Sequence, residues 1–181
     1  MRKLVAIFVL LTTVGGVARV TAQSTITRDE ALKLAFPGAA ITSATVFLTE
    51  AQQARAAKLA GETLPSPLVA RYVARVEGRV IGRAYVDTHV VRTKRESLLI
   101  SLDASGRVTR IDVTAFLEPP EYQAPPRWLE QFDNRSLGPD LSLQRSIRVI
   151  TGATLTAMAT NAAVRRVLAI DQVLEAGEAQ Q

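Results

Sequence analysis

The chain has no cysteine and a single histidine, His89. The first absence excludes disulfides, thiolate zinc and iron–sulfur sites, a catalytic thiol and the acylated cysteine of a lipoprotein. The second argues against any triad or metal site that needs two imidazoles. The lysine-containing phosphate loop of nucleotide hydrolases and the nicotinamide fingerprint are also missing, so triphosphate chemistry and a dedicated hydride donor find no support. Beyond the N-terminal region no apolar run is long enough to span a membrane as a helix.

What is present is 181 residues, 48% apolar and 22% charged, enough for one globular domain with a proper core. The formal charge of +5 is concentrated at the start. Arg2 and Lys3 precede the apolar run LVAIFVLLTTVGGVA, and Val20-Thr21-Ala22 offers a cleavage site before Gln23. This is the layout of a secretory signal peptide over residues 1–22, with a retained N-terminal anchor as the alternative. Cleavage removes Arg2, Lys3 and Arg19 and no acid, leaving 19 basic and 17 acidic residues. Nucleic acid binding then loses its electrostatic support, and the expected location is periplasmic or membrane-associated on the outer face.

The exported chain reads as a lead-in over residues 23–67 and a main unit over 68–176. Thr27 to Glu30 is a capping box opening a short helix that Phe36-Pro37-Gly38 stops. Ile41 to Leu48 is a β-branched strand, Thr49 to Gln52 a second capping box, and the alanine-rich helix behind it ends at Gly61. From Leu68 to Phe116 the apolar period is two, an antiparallel meander with turns at Glu77-Gly78-Arg79 and Asp103 to Gly106. A proline-rich loop, Glu118 to Pro126, leads to a short helix over Trp128 to Phe132, and residues 134–144 read as irregular. The last helix is expected from Leu155 or Thr156 to about Leu174, with Ala159, Ala163, Val167, Ile170 and Leu174 on its apolar stripe and Arg165 and Arg166 off it. Helices set apart from an antiparallel meander sheet give an α+β fold with a C-terminal helix after the Thr-Gly-Ala-Thr turn.

Val149-Ile-Thr-Gly-Ala-Thr-Leu-Thr156, directly before that helix, is the most informative stretch. Gly152 and Ala153 let a ligand approach the backbone, the helix start favours an anion, and Thr151, Thr154 and Thr156 supply hydroxyls, with Leu155 between them. A plain helix cap explains the same residues. Thr151 to Thr156 resembles the Ser/Thr-Gly-Ala-Thr motif of the FMN-binding domain family, which includes exported flavin-carrying subunits of sodium-translocating NADH:quinone reductase and of Rnf-type complexes. The resemblance runs roughly from Leu68 to Ile170, through Tyr85 to Lys94, Phe116 to Tyr122 and Trp128 to Phe132. It implies FMN as cofactor, joined through a phosphoester to Thr154, and a periplasmic flavin transferase using FAD and a divalent metal as partner. A membrane-bound redox partner follows by analogy. The chain departs from the family where an aspartate usually precedes the motif: here the sequence is Ser146-Ile-Arg-Val-Ile150, and Arg148 is a phosphate partner or a solvated arginine.

Four further residues are candidates for flanking the cofactor. His89 shares a strand face with Asp87 and Thr93 by the period-two rule and would donate a hydrogen bond to a flavin, or is an exposed or capped histidine. Arg92, with Lys94, would neutralise negative charge, or forms a solvated basic strand edge. Glu118 and Trp128, with Tyr122, belong to a stiff loop suited to walling a planar ring, or the aromatics pack as core. The reading that results is an exported electron carrier more than a stand-alone enzyme. A binding module without a redox cofactor and a flavin-dependent reductase are the alternatives.

Overall fold

The computed structural model describes residues 25–178, so the signal-peptide segment 1–22 lies outside the described residues. Helix α1 (Arg28–Ala35) follows the lead-in, then strand β1 (Ala40–Phe47) and helix α2 (Glu50–Ala60). Strands β2 (Leu68–Val76), β3 (Arg79–Val90), β4 (Arg95–Asp103) and β5 (Val108–Phe116) come next, then the short α3 (Pro126–Leu129) and the long α4 (Thr154–Glu178). Both capping boxes form: Thr27 with Glu30 opens α1 and Thr49 with Gln52 opens α2, each side chain bonding the other's backbone N–H.

The five strands lie in sequence order in one antiparallel sheet, so each connection is a hairpin or a local excursion and the fold is α+β. One face carries the main core, where Leu98, Ile100, Leu102, Ile111 and Val113 meet Ala163, Val164, Val167 and Leu168 of α4 and Ala56 and Ala60 of α2. The other face is covered by α1, whose Ala31 and Leu32, with Phe36 just behind it, pack on Tyr72, Ala74, Ala84 and Leu99. Phe36 explains Gly82: a Cβ there would lie 2.5 Å from the Phe36 ring and 2.4 Å from the Leu102 carbonyl oxygen, so only glycine fits beneath the ring.

Three sequence expectations need adjustment. Helix α4 begins at Thr154 and runs to Glu178, so Thr154 is itself in the first turn and the helix extends a turn past Leu174. The short helix begins at Pro126 and passes into a 3₁₀ turn over Glu130–Phe132. Arg166 lies off the apolar stripe yet is buried, because both its flanks have carboxylate partners. It bonds Asp87 of β3 at 2.8 and 3.0 Å and Glu62, behind α2, at 2.5 Å. Arg165 donates to the carbonyls of Ala60, Gly138 and Leu141, tying the irregular segment to the helix.

A second ion group pins the far half of α4. Asp171 accepts from Arg83 at 2.6 and 3.1 Å and from the Tyr85 hydroxyl at 2.8 Å. Burial, and then the Asp171 charge, push the Tyr85 phenol far up, so it stays a donor. Removing one member of such a group strands the other without a partner, which costs more than the pair itself contributes. The register of α4 on β3 is therefore fixed by charge as well as by apolar packing, and the helix start is held at one place.

A candidate cofactor cavity at the start of α4

Three segments meet around a cavity of about 230 Å³. The β3–β4 turn contributes Val91 and Arg92, the loop after β5 contributes Glu118 and Tyr122, and the start of α4 contributes Gly152 to Thr156. Each wall is bonded to its neighbour. Glu118 Oε1 accepts the backbone N–H groups of Arg92, Thr93 and Lys94 at 3.2, 2.6 and 2.7 Å, fastening the loop to the turn. The Thr156 hydroxyl donates to the Tyr122 carbonyl at 2.6 Å, fastening the helix to the loop. The N–H groups of Thr93 and Lys94 hold the Glu118 carboxyl below the usual carboxylate range.

Within this frame the chain turns tightly into the helix. Gly152 has φ +81, a conformation other residues adopt only with strain, and a Cβ there would meet nothing within 4 Å, so the space beside it is open. Ala153 is buried, its N–H bonded to the Ile150 carbonyl at 3.2 Å and its own carbonyl accepting from Ala157 at 3.1 Å. Thr154 and Leu155 are exposed, whereas Thr156 is buried. The N–H groups of the first helical turn have no acceptor within the helix and point toward its N-terminal end, where the helix dipole is positive. Arg92 also lines the cavity, and the Glu118 carboxylate there is engaged by the N–H groups of the β3–β4 turn, so the helix start favours a phosphate.

The sequence-read residues divide between this cavity and other places. Arg92, Glu118, Gly152, Ala153, Thr154, Leu155 and Thr156 line it, and Thr151 precedes it on the exposed turn. Trp128 packs as core: its indole N–H donates to the Arg148 carbonyl at 2.7 Å and its ring stands edge-on to Phe132 at 5.5 Å. Tyr122 is therefore the aromatic wall. Arg92 and Lys94 belong to a turn that closes with the Val91 N–H on the Lys94 carbonyl at 3.0 Å, not to a strand edge, because β3 ends at Val90. Thr93 accordingly leaves the face of Asp87 and His89 and bonds Glu118 instead. The Arg148 side chain is exposed, while its N–H is held by Gln131.

His89 lies outside the cavity lining, between two carboxylates. Nδ1 is 2.8 Å from Asp87 and Nε2 is 3.0 Å from Glu96, which is fully buried. Burial opposes the imidazolium, but the bonds to Asp87 and Glu96 outweigh it and raise the pKa to about 9. The doubly protonated ring is thus a cation that neutralises Glu96 beneath α4. Thr160, one turn below Thr156, places its hydroxyl 3.5 Å from the same Glu96 carboxylate. Two residues in this part of the fold carried no sequence signal: Val91, which opens the turn after β3, and Glu96, indistinguishable in sequence from any solvated strand glutamate.

No helix among the described residues is long and apolar enough to cross a membrane, and no group of three or more metal-ligating side chains is found among them. No curated protein and no solved structure matches the chain. The family model described as the FMN-binding domain matches residues 95–169, a span that runs from β4 through the Glu118–Tyr122 loop to the middle of α4. That span contains two of the three cavity walls and the whole Thr151–Thr156 turn. Residues 95–169 thus match the FMN-binding domain, and the cofactor this match indicates is FMN.

Proposed function

We propose that the chain is an exported electron carrier whose FMN is joined through a phosphoester to the Thr154 side-chain oxygen. The observation that carries this reading is the position of Thr154. It is an exposed hydroxyl in the first turn of α4, inside the cavity that Arg92 and Tyr122 wall, within the segment matched by the FMN-binding domain. A volume of about 230 Å³ accommodates a phosphate and part of a ribityl chain. It falls below the roughly 300 Å³ at which pockets begin to enclose whole cofactor-sized molecules. An isoalloxazine ring left near the surface suits a protein that passes electrons to a partner more than one that shields a substrate.

Attachment requires a separate flavin transferase. The Thr154 oxygen displaces AMP from FAD by attacking the phosphorus on the riboflavin side. The P–O–P bond breaks, a P–O–Cβ ester forms, and the hydroxyl proton passes to a base on the transferase. The divalent metal belongs to that enzyme. Within this chain, the N–H groups of the α4 first turn and Arg92 would hold the phosphate, and Gly152 and Ala153 would leave room for it beside the backbone. Thr156 keeps the helix start against the Tyr122 loop. Bound FMN supplies one- and two-electron redox chemistry, which the protein itself lacks. A covalent link is useful outside the cytosol, where no nucleotide pool refills a site that has lost its cofactor.

The experiment is to purify the exported protein and cycle its flavin with an artificial electron donor and acceptor. The carrier reading predicts stoichiometric reduction and reoxidation without turnover of any small substrate by the protein alone. Steady turnover of a nicotinamide or organic substrate by the pure protein would replace it with the reductase reading.

A further inference from the structure

Strand β1 is the outer strand of the sheet, and among the described residues nothing pairs with its outer edge. Such an edge presents a row of unpaired N–H and C=O groups, which proteins usually blunt with a lysine, a proline, a bulge or a very short strand. Ala-Ile-Thr-Ser-Ala-Thr-Val-Phe over Ala40–Phe47 has none of these. It is eight residues long, carries no charge, no proline and no glycine, and pairs with β2 from Ala40↔Arg75 to Phe47↔Leu68 without a register shift. Six of its eight residues are exposed, and only Ile41 and Val46 are half-buried, against the α1 side and the main core respectively. Phe47 keeps 67% of its surface exposed and its neighbour Leu68 56%.

We infer that β1 is a homodimerisation edge, on which two copies of the chain pair their β1 strands antiparallel about Ala44 and join their five-stranded sheets into one. The occupant is a second copy because the strand is complementary to itself. A two-fold axis perpendicular to the sheet keeps each face on its own side only when residues an even number apart are opposed. With Ala44 opposite Ala44 of the second copy, Ile41 meets Phe47, Ser43 meets Thr45, and Thr42 meets Val46. Ile41 and Phe47 share the α1 face, since Ile41 opposes Ala74, which packs under that helix. The most exposed aromatic of the strand thus gains a β-branched cross-strand partner twice over, a favourable pairing on a sheet. No like charges are brought together, because the strand has none. The segment also lies outside residues 95–169, so this role is separate from the cofactor cavity.

A strand-edge contact buries an area at the low end of protein interfaces, so association in the micromolar range is expected. The test is sedimentation velocity on the full chain from low micromolar to submillimolar concentration. The wild-type protein shifts from monomer to dimer, while Ala44→Lys, which sets two ammonium groups against each other at the axis, stays monomeric with unchanged circular dichroism and flavin content. A second measurement uses the absence of native cysteine. Ala44→Cys is joined efficiently by a short thiol-reactive crosslinker, whereas Leu34→Cys, also exposed but on α1, is not. A wild-type chain that remains monomeric throughout, or an Ala44→Lys variant that dimerises like wild type, overturns the inference. So does a monomer whose β1 amides are protected by a different polypeptide.

Discussion

Thr156 donates its hydroxyl to the Tyr122 carbonyl at 2.6 Å, so the first turn of α4 is anchored to the loop that walls the cofactor cavity. Valine fills nearly the same space without the donor. Thr156→Val leaves the carbonyl unpaired in a largely buried site, at a cost of about 1–3 kcal/mol. Denaturant unfolding should report that loss, and flavin content after a fixed loading time should fall several-fold because the helix start is no longer held. Unchanged stability and loading would mean that packing alone positions the turn.

Glu118 gathers three consecutive N–H groups of the β3–β4 turn. In Glu118→Ala, amide hydrogen exchange should speed up at Arg92, Thr93 and Lys94 while the strand amides of β4 remain slow. Since the backbone bonds from Thr93 and Lys94 hold this carboxyl below its ordinary range, the wild-type turn should keep its protection down through that range and lose it only at more acid pH. Equal exchange in both proteins would show that the turn's own Val91–Lys94 bond suffices.

His89 makes stability depend on alkaline pH. Its pKa rises from 6.5 to about 9 on folding, against burial, through Asp87 and Glu96, with Arg166 and Thr160 of α4 facing the same carboxylates. A group raised in the folded state contributes fully below its unfolded value and loses that contribution as pH climbs through the folded one. The contribution is at most on the order of 3 kcal/mol. Thermal unfolding of the wild type should therefore weaken between pH 6.5 and 9, and His89→Gln should flatten that slope. An identical slope in the variant would remove His89 from the account.

The sequence carried the parts of this molecule that are local. Both capping boxes, the stop at Gly61 and the Asp103–Gly106 hairpin depend on residues within four positions of one another, so their chemistry could be read directly. The Thr151–Thr156 turn was legible because a glycine and three hydroxyls before an apolar helix concentrate anion-binding features in six residues. What required the structure was long-range register. Arg166 looked solvent-facing because its partners Asp87 and Glu62 lie far away in sequence. For His89 the period-two rule supplied Asp87, but Glu96, the other half of its clamp, reaches it only across the β3–β4 pairing. Trp128 read equally well as ring wall or core, and the hydrogen bond to the Arg148 carbonyl decided for the core. Thr93 was placed by extending the period-two rule past Val90, where the strand had already ended.

The most direct test of the central claim is the intact mass of the exported protein, produced with and without a co-expressed flavin transferase and followed by peptide mapping. The expected result is a gain of one FMN less one water, only with the transferase, on the peptide that contains Thr154, and none in Thr154→Ala. A protein that stays at its unmodified mass with the transferase present, or that carries the same gain after Thr154→Ala, would contradict it.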